Sequence, residues 1–166
     1  APGDITEVRS GAARVQDQGS QLMAIALVEQ VPVAENEEWL DMCAGPGGKA
    51  ALLASYAELH NANLLCNESQ AHRAKLVERA VEPVSSRSTV QTADGREIGS
   101  QMPERFDRIL LDAPCSGLGA LRRRPEARWR KSPKDLNDLV ALQRELLASA
   151  EKALKPGGFL AYVTCS

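Results

Sequence analysis

"EWLDMCAGPGGKAALLASYAEL", residues 38–59, reads as a short apolar strand, a glycine-rich turn and a helix in immediate succession. The strand ends at Asp41, the turn is "CAGPGGK", and from Lys49 onward apolar residues recur at helical spacing. A glycine turn between a strand and a helix gathers backbone N–H groups and a helix N-terminus around one point, and lets a ligand come close to the main chain. Gly45, Gly47 and Ala50 satisfy the loose G-x-G-x-x-G/A pattern of nucleotide-binding folds. A P-loop is excluded, because Ala50 stands where Ser or Thr must follow the lysine and Cys43 where the first glycine belongs. A turn that binds nothing is the plain alternative, so the flanking sequence has to decide.

The flanks repeat the alternation. Upstream, "DQGSQLMAIALVEQ" predicts a helix with Asp17 as N-cap. Downstream, "ANLLCNE" predicts a second strand, "SQAHRAKLVERAV" a helix capped by Ser69, and "STVQTAD" a third strand. "GREIGSQMPER" reads as a loop before a fourth strand, "FDRILLDAPC". A long helix follows, with Ser132 as N-cap, Pro133 in its first turn, Asp135 closing a capping box, and Gly157 and Gly158 as its stop. Its expected buried stripe is Leu136, Leu139, Val140, Gln143, Leu146, Leu147, Ala150 and Leu154. "FLAYVTC" is the last strand. The prediction is an α/β fold: a mostly parallel sheet with helices on both faces and a ligand site outside the carboxyl ends of the strands.

With 166 residues the chain is long enough for one domain with a proper core. Its 43% hydrophobic and 25% charged residues are ordinary for a globular protein, and no apolar run is long enough to cross a bilayer. A cytoplasmic monomer is the expectation. The net charge of -2 provides no overall field for a polyanion, so a nucleic-acid surface must be local. The four cysteines, Cys43, Cys66, Cys115 and Cys165, form no CxxC pair, which argues against a disulfide framework or a zinc site and for reduced thiols without metal.

Cys115 and Cys165 each fall just past the end of an expected strand, at the same rim as the glycine turn. A thiolate is strongly nucleophilic, so two cysteines at a ligand rim point to covalent catalysis, whereas Cys43 and Cys66 read as small buried hydrophobes. Glu68 and Asp94 also follow short strands there, where a carboxylate can accept hydrogen bonds from ribose hydroxyls or an adenine amine. "RRRPEARWRK" sets Arg122, Arg123, Arg124, Arg128, Arg130 and Lys131 around Trp129, a pattern suited to phosphates and stacked bases of single-stranded RNA. A solvated charged loop is its bland alternative.

"VQDQGSQ", "DMCAGPGGKA", "NE", "TADG", "LLDAPCSGLGALRRRPEARW" and "YVTCS" resemble, in order, the motifs of the RsmB-like (Sun/Nop2/NSUN-type) RNA cytosine-5 methyltransferases. The resemblance implies a Rossmann-like class I methyltransferase fold over 1–166, dependent on S-adenosyl-L-methionine and acting on ribosomal or transfer RNA. It implies that Cys43, Ala44, Gly45, Pro46, Gly47, Gly48 and Lys49 wrap the methionine end of the cofactor, that Glu68 holds its ribose and Asp94 its adenine, and that Asp112 lies between cofactor and base. Cys165 would attack C6 of the cytosine, Cys115 would help release the product, and Lys49 and Asp112 would polarise the ring. Gly45 and Ala50 replace the commoner Ala and Thr of the first motif, at no evident chemical cost. The family continues past "TCS" with more sheet and helix, so the chain is expected to be truncated after its fifth strand, leaving that strand as an open edge. Two other readings stand beside this one: a nucleotide-dependent oxidoreductase using the same turn, and a non-catalytic RNA-binding relic.

Overall fold

The structure is a computed structural model and describes residues 4–10, 13–120 and 133–165. In chain order the elements are α1 (Thr6–Arg9), α2 (Gln18–Glu29), β1 (Glu38–Asp41), α3 (Gly48–Leu59), β2 (Asn63–Asn67), α4 (Ala71–Val81), β3 (Ser88–Gln91), α5 (Gly95–Gln101), β4 (Phe106–Asp112), a 3-10 turn (Leu118–Ala120), α6 (Pro133–Ala153) and β5 (Leu154–Val163). The five strands form one all-parallel sheet in the order β3-β2-β1-β4-β5. Growth of the sheet reverses between β1 and β4, which opens a crevice outside their carboxyl ends.

The sheet is buried on both faces, as crossover helices require. One face packs Trp39, Leu64 and Leu110 against Leu27 of α2, Leu53 of α3 and Val77 of α4. The other packs Leu40, Ile109 and Leu111 against Ile98 of α5 and Leu146 and Ala150 of α6. Each fully buried large side chain contributes roughly 1.5–3 kcal/mol relative to exposure.

Several expectations are corrected. Residue 69 is not the cap of α4; Gln70 takes the N-cap position, and Ser69 and the Gln70 N–H instead donate to Glu68 at 3.3 and 3.1 Å. "GREIGSQMPER" is not all loop, because residues 95–101 form α5. Two glycines weaken its intrinsic helix propensity, but Asp94 caps it through the Arg96 N–H, and Ser149 of α6 joins Gly99 N–H and Gly95 C=O at 2.9 and 2.7 Å. The α6 stripe is rotated from expectation: Leu146, Ser149, Ala150 and Ala153 are buried, while Leu136, Val140 and Leu147 are exposed. The cause is the docking of α5, which sequence periodicity did not include. Leu154 and Gly157–Gly158 lie in β5, since the helix already ends at Ala153, where the Arg105 N–H takes its carbonyl at 2.9 Å. The outer edge of β5 has no paired strand among the described residues.

Candidate active site

Because every strand is parallel, Asp41, Glu68, Asp94, Asp112 and the segment leading to Cys165 all emerge at one rim. Asn67 ties that rim together: its side-chain amide donates to Met42 C=O after β1 and Ala93 C=O after β3, at 3.1 and 3.2 Å, and accepts from Gln91 at 3.1 Å.

The sulfurs of Cys115 and Cys165 meet, with their Cα atoms 6.3 Å apart, a span that a disulfide bridges. The structure joins them as one, where the sequence pointed to reduced thiols. Adjacent parallel strands explain the convergence: β4 and β5 pair up to Asp112 and Val163, and both chains then turn over the same rim. The Gly119 N–H in the 3-10 turn holds Cys165 C=O at 2.6 Å, and Gln143 of α6 holds Pro114 C=O at 2.8 Å. Nearby, Lys49 Nζ and Asp112 Oδ2 form an ion pair of 2.7 Å, half-withdrawn from solvent.

The other two cysteines are unsuited to nucleophilic work. Burial, with help from Asp41, Glu68 and Asp112, pushes the Cys43 thiol up to about 12, and burial with Asp41 raises Cys66 as well. Cys43 therefore stays protonated inside the turn at neutral pH.

Glu68 is buried and already surrounded by donors: Gly45 N–H at 3.1 Å and Arg73 Nη1 at 3.4 Å on Oε2, the Gln70 N–H and Ser69 hydroxyl on Oε1. Asp94 is more exposed and forked by Arg96, whose guanidinium donates at 2.6 Å to Oδ2 and 3.0 Å to Oδ1. That fork, more than the Arg96 N–H, holds the Asp94 carboxyl below the usual carboxylate range. A Cβ at residue 45 would overlap Glu68 Oε2 and lie 2.9 Å from Arg73 Nε and Nη2, so these two side-chain ends would have to move aside for it. Ala50 is fully buried in α3 without conflict. Arg122, Arg123, Arg124, Arg128, Trp129, Arg130 and Lys131 lie outside the described residues.

Sequence reasoning missed Asp41. It is 1% exposed, and among the described residues no hydrogen bond of good geometry reaches either carboxylate oxygen. Burial pushes its carboxyl up to about 7; Asp112 and Glu68 raise it further, and Lys49 and the Cys43 N–H only partly oppose them. Its position at the end of β1 was legible, but not that its oxygens would be left without donors. Since the folded-state value lies above the ordinary carboxylate value of 3.8, the folded chain binds a proton that the unfolded chain does not between pH 3.8 and about 7. Stability from this group is therefore complete below that window and lost as pH rises through it. Asp41→Asn is neutral throughout, so its stability relative to the parent chain is expected to improve by roughly 2 kcal/mol from pH 5 to pH 8. Urea titrations at the two values check this, and an unchanged difference contradicts it.

Among solved structures, NSun6 from Pyrococcus horikoshii, determined with the S-adenosylmethionine analogue SFG, superposes with a TM-score of 0.85 at 26% identity, covering 100% of this chain and 41% of that one. TrmN from Thermus thermophilus, at 24% identity and TM-score 0.62, shows the fold alone. The fold is that of a Rossmann-like class I methyltransferase. The sequence model described as "16S rRNA methyltransferase RsmB/F" matches residues 28–166. A relative from Mycobacterium tuberculosis strain H37Rv is 48% identical over 99% of this chain and 35% of its own length. Ribosomal RNA small subunit methyltransferase B of Shewanella oneidensis is 39% identical over 100% of this chain and 38% of its own. Ribosomal RNA small subunit methyltransferase F of Salmonella arizonae is 41% identical over 99% and 34%. The chain belongs to the RsmB/F family of RNA methyltransferases, whose cofactor is S-adenosylmethionine. It spans little more than a third of the length of these curated relatives. Family membership leaves the oxidoreductase reading without support.

Proposed function

We propose that this chain is the catalytic domain of an enzyme that transfers a methyl group to C5 of a cytosine in RNA, ribosomal rather than transfer RNA, through a covalent bond between Cys165 and C6. The observation that carries the reading is the meeting of the Cys115 and Cys165 sulfurs at the carboxyl rim, beyond the ends of β4 and β5, with the Lys49–Asp112 pair at the end of β4 on the same rim. S-adenosylmethionine, when bound, supplies an electrophilic methyl on a sulfonium. The rim fits such a cation, because Asp41 offers a buried carboxyl with no well-formed hydrogen bond among the described residues, with Asp112 and Glu68 near enough to act on its charge. On this reading the 43–49 turn and Asp41 hold the methionine end, Glu68 the ribose and Asp94 the adenine.

C5 of cytosine is a weak nucleophile. A Cys165 thiolate that adds to C6 gives the ring enamine character and moves an electron pair onto C5, the atom that would take the methyl as its bond to the sulfonium sulfur breaks and that sulfur leaves as a neutral thioether. Lys49 donates and Asp112 accepts, so the pair can engage the O2, N3 and N4 edge and favour the charge that builds there. Afterwards the C5 proton must leave and the C6–S bond must break, and Cys115, in contact with Cys165, would assist directly or through water. The disulfide form cannot take the first step, so turnover needs the pair reduced. Cys43 does not compete for the methyl, because its thiol stays protonated. The basic run from Arg122 to Lys131 would grip the RNA, and a ribosomal substrate would be met in the cytoplasm.

Calorimetry with S-adenosylmethionine and NAD under reducing conditions tests the cofactor half: binding of the first and not the second is expected. Bisulfite sequencing of ribosomal and transfer RNA from cells with and without the gene tests the substrate half. Loss of one 5-methylcytosine from ribosomal RNA is expected; unchanged patterns in both RNAs would overturn the assignment.

A further inference from the structure

Arg73 lies one turn into α4, is named in no motif, and yet reaches the glycine turn after β1. Its Nη2 donates to Gly45 C=O at 2.6 Å while its Nη1 lies 3.4 Å from Glu68 Oε2. Glu68 Oε2 in turn accepts from Gly45 N–H at 3.1 Å. Residue 45 is thus held on both sides, its N–H by a carboxylate and its carbonyl by the guanidinium that pairs with that carboxylate. In this arrangement the Glu68 and Arg73 side-chain ends occupy the space beside Gly45, since a Cβ would overlap Glu68 Oε2 and crowd Arg73 Nε and Nη2 at 2.9 Å. Further along, Ala44 N–H is fixed by Asn67 C=O at 2.9 Å and Gly47 N–H by Ala44 C=O at 2.8 Å, so Gly45 is the part of the turn whose position depends on a side chain of α4.

We propose that Arg73 is a positioning residue for the cofactor, setting the glycine turn and the Glu68 carboxylate in their binding arrangement through the space that Gly45 leaves. This deepens the assignment of the turn and Glu68 to S-adenosylmethionine and rests on it. A buried carboxylate is held in one orientation by its donors, and Arg73 is the charged donor among those described around Glu68. Without the guanidinium, Gly45 C=O loses its donor and Glu68 keeps neutral donors alone, so the pair must be ordered when the cofactor arrives. That cost falls on binding. The chemistry is spared, because Cys115 and Cys165 stand at the ends of β4 and β5.

The test uses the full chain under reducing conditions, with calorimetric S-adenosylmethionine affinity and methyl-transfer kinetics for Arg73→Met, Arg73→Lys, Gly45→Ala and the Gly45→Ala/Arg73→Met pair. Arg73→Met is expected to weaken cofactor binding about tenfold, the scale of one charge-assisted hydrogen bond, with kcat at saturating cofactor within about twofold of the parent. Arg73→Lys should recover part of the affinity. Gly45→Ala, whose methyl shifts the same two side-chain ends, should weaken binding less, and the double variant should be little worse than Arg73→Met, whereas independent sites would multiply. Parent-like affinity in Arg73→Met, a fall in kcat with affinity unchanged, or multiplicative effects would each overturn the proposal. Melting curves without cofactor confirm folding, and the lysine variant carries the test if Arg73→Met does not fold. Failure of the parent chain to bind S-adenosylmethionine would refute the underlying assignment of the turn, a result distinct from parent binding that is indifferent to Arg73.

Discussion

Cys165→Ser is expected to lower methyl transfer to RNA by roughly three orders of magnitude or more, the scale seen when a covalent nucleophile is removed. Cys115→Ala is expected to stall instead, with RNA covalently joined to the protein. The two sulfurs touch, so geometry alone treats them alike. What separates them is the order of events. Removing the attacking group prevents any adduct, because a serine hydroxyl is almost wholly un-ionised at neutral pH and adds poorly to C6. Removing the group that assists release leaves the first half of the reaction intact and traps its product. Denaturing gels of each variant incubated with substrate RNA, S-adenosylmethionine and a reductant distinguish these outcomes. An adduct from Cys115→Ala and none from Cys165→Ser supports the assignment; the reverse pattern would exchange the two roles. No adduct and no turnover from any form, the parent included, would leave the domain an RNA-binding relic.

The strand–helix alternation and the rim were legible because their signals are local. Strand-end residues Asp41, Glu68, Asp94, Asp112 and Cys115 sit beside turn punctuation, and parallel pairing alone brings them to one side. The same logic brought Cys115 and Cys165 together across 50 residues of sequence. What could not be read depends on side chains that reach other elements. Helix α5 exists because Ser149 and Leu146 of α6 pack against it, which a seven-residue segment with two glycines does not announce. The α6 stripe was misread for the same reason: Leu136, Val140 and Leu147 have helical spacing, but the neighbour decides which face is covered. Asp41 and Arg73 escaped notice because a buried carboxylate and a helix arginine look ordinary until their donors and acceptors are counted.

Arg108 makes the same point in the framework, and its removal is expected to have the largest effect on stability. It sits in β4 within "FDRILLD", a charged residue in an otherwise apolar run, yet it is 1% exposed. Its Nε donates to Glu37 at 2.7 Å, Nη1 to Leu27 and Val28 C=O at 2.9 Å, and Nη2 to Val31 C=O at 3.1 Å, with the Trp39 and Phe159 rings 5.8 and 5.6 Å from the guanidinium carbon. One side chain thereby caps the C-terminal carbonyls of α2 and fastens the connection to β1. Burial would raise the Glu37 carboxyl, but Arg108, the Ala34 N–H and the Trp39 indole outweigh it and hold it below the usual range. Arg108→Leu leaves that carboxylate without its charged partner and several carbonyls without their donor, so a loss of about 3–5 kcal/mol in unfolding free energy is expected. Glu37→Gln, which keeps an acceptor for the guanidinium, should cost less. The site lies near the amino ends of the strands, away from Cys115 and Cys165, so kcat of the folded fraction should be unchanged. Urea unfolding of the three forms decides the matter: a shift under about 1 kcal/mol for Arg108→Leu would mean that the arginine fills space without anchoring α2.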